Sequence, residues 1–204
     1  MNLVNKIVPK NYTGTESGAT SKTKCDTRHH ALNLYKQAKY RLLDINNWHR
    51  ICDYKGAEFK LTDAEGNLLL KPTPEQGNLI RIKLPAPRNK KGDGYDWVRI
   101  EKIQNEKKEE SDEELCGFRV RPIKKPDSND NTSAHFYTDK ASSTFLVYRK
   151  TTFIYVMERG RNEIPNIKGT LFNKLRNALV AITAMLGLSK PQWQKLVQGV
   201  LKND

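Results

Sequence analysis

No apolar run in the chain is long enough to cross a bilayer as a helix. The longest nearly apolar stretch, residues 178–188, is interrupted by Thr183 and Gly187 and reaches about half of the ~20 residues that a span needs. No membrane span is expected. Residues 1–12 lack the sustained apolar core and small-residue cleavage site of a secretory signal, so a cytoplasmic location is the default expectation. Cysteine is scarce: Cys25, Cys52 and Cys116 are odd in number, widely spaced and without a C-x-x-C pair. That pattern disfavours a disulfide framework and a structural zinc site, and leaves reduced thiols. The hydrophobic share is only 37%. Its apolar residues nevertheless fall into periodic segments, which indicates a folded domain with polar extensions rather than wholesale disorder.

Familiar catalytic signatures are missing as well. No G-x-S-x-G frames a serine, and neither G-x-x-x-x-G-K-[ST] nor G-x-G-x-x-G is present to cradle phosphate. His29 and His30 are adjacent, hence splayed on a helix rather than spaced i, i+4 for chelation. No catalytic residue, cofactor or metal is assigned.

What is abundant is positive charge: 36 Lys and Arg against 23 Asp and Glu, a net +13. Residues 164–203 contain no acid while carrying Lys168, Lys174, Arg176, Lys190, Lys195 and Lys202, and residues 81–91 and 119–125 are also acid-free and basic. Such a balance attracts anions, nucleic acid among them, without conferring specificity. Opposite charge gathers at Glu106–Glu114, which reads as a solvated loop.

The length of 204 residues suits one sizeable core. Residues 11–24 are rich in Thr, Ser and Gly, so residues 1–25 read as a flexible N-terminal lead to a single α+β domain over 26–204. Ala31, Leu34, Tyr35, Ala38, Leu42 and Ile45 form one helical stripe behind a cap at Asp26 or Thr27. From residue 57 to 159 the period becomes two. Strands with one wet face are expected at 57–61, 67–70, 80–84, 96–103, 115–123, 134–138, 143–150 and 152–159, antiparallel because their connections are short. Helical spacing returns with Leu171, Leu175, Ala178, Leu179, Ile182, Met185 and Leu186, ending at Gly187. A further helix with a stripe of Trp193, Leu196, Val197, Val200 and Leu201 follows a capping box at Ser189 and Gln192.

Polar residues cluster at Arg159-Gly160-Arg161-Asn162-Glu163, where Gly160 and Pro165 suggest a tight exit from the sheet. The arginines could fork an anion and Glu163 accept a proton, although a structural corner with an Arg–Glu pair is the commoner outcome. His135, flanked by Ala134 and Phe136, would need Ser142 or Ser143 as nucleophile to act as a base. Trp48, Trp97 and Trp193 read as core or rim packing rather than as base-stacking platforms.

The order helix, long run of antiparallel strands, highly apolar helix resembles the helix-grip superfamily of START-related and pollen-allergen-like lipid-binding proteins, over residues 26–187. The resemblance implies a curved sheet around a long C-terminal helix and an apolar cavity for a hydrophobic ligand. The chain departs from it in its second terminal helix and in lacking a clear strand before the opening helix. The leading expectation is a non-enzymatic binding module for a small hydrophobic or amphiphilic molecule, oriented by His135, Arg159, Arg161, Asn162 and Glu163 and walled by Leu175, Leu179 and Ile182. A nucleic-acid-binding protein using the basic segments is the first alternative. The second is a hydrolase or cyclase using His135 or Glu163 in the same cavity. Oligomeric state is left open.

Overall fold

The Thr27 hydroxyl accepts the His30 backbone N–H at 3.1 Å and so starts the first long helix by satisfying a donor that has no partner within the helix. The computed structural model describes residues 3–51, 57–70, 73–84, 89–128, 134–166 and 190–202. A short helix α1 (Val4–Ile7) comes first, then strand β1 (Thr15–Lys24), helix α2 (Arg28–Leu43) and, after a single 3-10 turn, helix α3 (Trp48–Ile51). Six strands follow: β2 (Glu58–Thr62), β3 (Leu79–Lys83), β4 (Asp96–Lys108), β5 (Glu113–Pro122), β6 (Ser142–Lys150) and β7 (Phe153–Glu163). Helix α4 (Lys190–Leu201) closes the described chain. All the strands join one antiparallel sheet in the order β1-β7-β6-β5-β4-β3-β2.

This is the α+β arrangement, a mainly antiparallel sheet packed against helices, that the element order implies, with a correction at its N-terminal end. The segment expected as a flexible lead contains β1, the missing strand before the opening helix. It pairs with β7 from Ser17 opposite Gly160 to Lys24 opposite Phe153. Composition concealed it because the strand buries little, Ala19 alone among its residues, and is held by the backbone ladder instead.

Other boundaries also shift. Residues 67–70 contribute only a bridge, Thr62 to Leu68, and residues 134–138 only a bridge from Tyr137 to Pro165. β7 continues past Gly160 to Glu163, and the backbone departs from strand geometry at Asn162, where φ is 55°. The acidic run at Glu106–Glu114 is no solvated loop: β4 runs to Lys108, β5 begins at Glu113, and the two form one long hairpin. The long helix expected over 170–187 lies outside the described residues.

Alternation along the strands sorts side chains onto two faces. The inner face packs Phe59, Ile100, Phe118, Phe145, Val147 and Val156 against Leu34 and Leu42 of α2 and Val197 and Val200 of α4. Trp48 sits at its centre, with ring centroids 5.3 Å from Phe59, 6.1 Å from Phe118 and 4.9 Å from Phe145. Trp193 completes the aromatic group, 5.3 Å from Phe145. Helix α4 can approach α3 this closely because a Cβ at Gly199 would overlap the Ile51 carbonyl. The outer face, expected to be wet, is partly covered: Leu3 and Ile7 of the α1 region pack on Leu115, Leu146 and Tyr148.

At one end of the sheet a fully buried guanidinium, Arg149 at 0% exposure, donates to Asp112 at 2.7 Å, Glu114 at 3.1 Å and the Thr151 carbonyl at 2.7 Å. Asp112 also receives a two-pronged bond from Arg28, both contacts 2.9 Å, which ties the start of α2 to the β4–β5 turn. Arg28 and then Arg149 hold the Asp112 carboxyl well below its usual range. A carboxyl depressed by folding stabilises above its unfolded pKa of about 4 and loses that contribution as pH falls. Asp112→Asn is expected to cost about 2 to 3 kcal/mol at neutral pH, since Glu114 remains to compensate Arg149 in part. Urea unfolding should show the deficit shrinking as pH falls below about 4.

Candidate functional site

Period-two alternation in β7 carries Ile154 and Val156 into the core and, at the next inward position, Glu158. In the ladders Glu158 stands opposite Phe145 of β6 and Ala19 of β1, both members of the inner-face core. Its side chain is 1% exposed, and neither carboxyl oxygen has a hydrogen-bond partner. Burial first, and then the charge of Glu163, push its pKa up to about 8. A carboxyl in such a place stays protonated at neutral pH because ionisation without a counter-charge is expensive.

Glu163 lies on the same face. Its Oε1 accepts the Ser17 hydroxyl at 2.9 Å, and its carboxyl folds back over Gly160, where an added Cβ would overlap Glu163 Oε1 and Ser17 Oγ. Burial raises its pKa, opposed by the Ser17 hydrogen bond and by Arg161. The Tyr137 phenol is buried, and its pKa is raised by burial and then by the fields of Glu163 and Glu158. Glu158, Glu163 and Tyr137 thus form one polar group at the edge of an aromatic core.

The two arginines serve the other side of the strand. Arg159 donates to the carbonyls of Ala19 at 2.9 Å and Glu158 at 2.8 Å and to the Thr20 hydroxyl at 2.8 Å. Arg161 donates to the carbonyls of Gly160 at 2.6 Å and Ser17 at 3.3 Å, and its ion pair is with Glu16 at 3.5 Å rather than with Glu163. Asn162 accepts from the Tyr12 N–H at 2.7 Å and the Thr13 N–H at 3.2 Å, stitching the chain ahead of β1 to the end of β7. These side chains build the corner that presents Glu163. The arginine donors are spent on carbonyls of β1 and β7, on the Thr20 hydroxyl and on Glu16.

His135 is buried, stacked on Phe136 at 4.2 Å, and its Nδ1 accepts the Tyr137 backbone N–H at 3.0 Å. Ser142 Oγ is buried without a partner, so Ser142 forms no relay with His135. Leu175, Leu179 and Ile182 lie outside the described residues. Sequence reasoning passed over Glu158, although the alternation Ile154, Val156, Glu158 contained the signal: an acid at an inward strand position.

Several basic residues are occupied internally. Arg119 and Arg121 both bond Glu101, Lys125 pairs with Asp93, and Arg81 lies 4.7 Å from the centre of the Tyr95 ring. Among the described residues no group of three or more His, Cys, Asp or Glu side chains is placed to hold a metal ion, and no helix is long and apolar enough to cross a membrane.

No family model and no curated protein matches the chain. Solved structures similar to it include truncated norcoclaurine synthase from Thalictrum flavum, at 8% identity and a TM-score of 0.39 over 96% of this chain and 100% of that one. The major latex-like protein 151 of Panax ginseng has 11% identity and a TM-score of 0.35, covering 84% and 96%. Ara h 8.0201 has 8% identity and a TM-score of 0.38, covering 93% and 100%. Likeness at this level carries no argument about ligand or activity.

Two measurements check this site. Glu158 ionises near pH 4.3 when unfolded and near 8 when folded, so the folded state holds an extra proton between these values and loses stability as pH rises through them. Glu158→Gln should therefore raise the melting temperature relative to the parent more at pH 8 than at pH 5; an equal change at both would contradict the assignment. Gly160→Ala should displace Glu163 from Ser17 and destabilise by about 1 to 3 kcal/mol in urea unfolding, because the added Cβ takes the space that the Glu163 carboxyl fills.

Proposed function

We propose that the protein is a binding module that holds a small hydrophobic or amphiphilic molecule against the inner face of the sheet, beside β6, β7 and β1. The observation that carries this reading is Glu158: a carboxyl with both oxygens unpartnered, set among apolar and aromatic side chains. Ligand sites are built that way, with apolar walls for affinity and a few convergent polar groups for orientation, and groups with displaced pKa values gather in them. The central aromatic cluster around Trp48 fills the middle of the inner face. The molecule would therefore sit toward the Glu158–Glu163 end, with Leu175, Leu179 and Ile182 as the proposed facing wall.

The hydrolase or cyclase reading, which names His135 or Glu163, has less in its favour, because His135 Nδ1 already accepts a backbone N–H and Glu163 Oε1 the Ser17 hydroxyl. Nucleic-acid binding has no specific observation in its favour. Native mass spectrometry after gentle purification, followed by titration with neutral, anionic and cationic amphiphiles, tests the proposal. A retained small molecule or a saturable one-to-one adduct is expected. A protein that stays empty with every amphiphile would overturn it.

A further inference from the structure

We propose that the ligand of this face is an amphiphilic organic cation, an amine with an apolar body, whose nitrogen is seated by Glu158 and Glu163. The inference rests on the binding-module reading and adds the ligand's charge.

Geometry points to a cation in three ways. First, both oxygens of Glu158 are buried and unpartnered. An unsatisfied buried polar group costs about 1 to 3 kcal/mol, and a donor arriving with the ligand removes that cost. Second, a further carboxyl sits close by on the same side. Glu158 and Gly160 are successive residues of one strand face, about 7 Å apart, and Glu163 folds its carboxyl into the space over Gly160. Two carboxyls converge where one would suffice for a hydroxyl. Third, the walls suit a positive nitrogen. Phe145 lies directly opposite Glu158 in the ladder, with Trp193 5.3 Å from it, and aromatic faces attract cations.

Among the described residues no cation is bonded to the two carboxyls, and Arg159 and Arg161 act on them only through space. On β7, Arg159 and Arg161 give their donors to carbonyls, to Thr20 and to Glu16. On β1 the inward neighbours are Ser17 and Ala19, and on β6 they are Ser143 and Phe145. From the loop before β6 comes the neutral Tyr137 phenol. On α4, Gln194 donates to the Thr20 carbonyl, and Lys195 is exposed. Among the described residues no Lys or Arg donates to either carboxyl. Without a bound cation, Glu158 escapes the cost of charge by staying protonated. When an ammonium group binds, the Glu158 O–H bond breaks, the proton passes to a buffer base, and the carboxylate remains against the ammonium.

The test compares decylamine, decanol and decanoate by isothermal titration calorimetry at neutral pH and about 0.15 M salt, where surface charge is largely screened. Decylamine should bind at least about tenfold more tightly than decanol, with decanoate weakest, an order opposite to that favoured by the net positive charge of the chain. The apparent enthalpy for decylamine should differ between phosphate and Tris in proportion to the proton released, and that for decanol should not. Glu158→Gln should remove the preference for the amine while keeping decanol binding. Should that variant not fold, Glu163→Gln serves as the second, with an expected weakening of amine binding of several-fold. Decanol or decanoate binding as tightly as decylamine, or a buffer-independent enthalpy for the amine, overturns the cation assignment and leaves the binding module standing. Failure of all three to bind overturns the module as well.

Discussion

The pairing of β1 with β7 is the constraint on which the rest of the structure depends. Without it β7 would be an edge strand, its outward groups unmatched, and the face carrying Glu158 would border solvent. With it, Ala19 lies across from Glu158, Ser17 reaches Glu163, and the arginines of β7 find carbonyls on β1. The residues ahead of β1 are drawn in by the same pairing, since Asn162 holds the backbone of Tyr12 and Thr13. A strand that buries almost nothing itself thus decides what its neighbour buries.

Charge is handled in two opposite ways at the two ends of the same sheet. Arg149 is as deeply buried as Glu158, yet two carboxylates and a carbonyl surround its guanidinium, and the resulting network joins α2 to two turns. That is a structural device: buried charge tolerated because it is neutralised and bonded. Glu158 has no such company and relies on its proton. A buried ionisable group that the fold leaves unpaired is the kind of feature that packing alone does not explain, and the proposed site is placed at the β7 end for this difference, not for the presence of acids as such.

The parts of the fold visible in the sequence were those governed by local repetition. The stripe from Ala31 to Ile45, the Thr27 cap, the alternating strands of the middle segment and the terminal helix around Leu196 and Val200 each advertise themselves within a few residues. The parts that stayed hidden depend on partners far along the chain. Thr15–Lys24 reads as a linker until β7 lies beside it. Gly160 reads as a strand end until Glu163 is seen folded over it. The acidic hairpin at residues 106–114 reads as solvated until Arg149, some forty residues on, arrives beneath it. Arg159 and Arg161 have the composition of an anion fork, and only the tertiary arrangement shows their donors committed to carbonyls, to Thr20 and to Glu16.

Local periodicity is enough to read the class of the fold, the helix behind Thr27, the central strands and the last helix, because helical and strand repeats are properties of the local backbone and need no partner to be read. Tertiary structure alone decided that a Ser- and Thr-rich lead becomes a strand, and that Glu158 is left without a counter-charge while Arg149 receives two. Hydrogen-bond ladders and electrostatic fields are set by which distant segments come within a few ångströms of each other, and that information is not carried by any one stretch of residues.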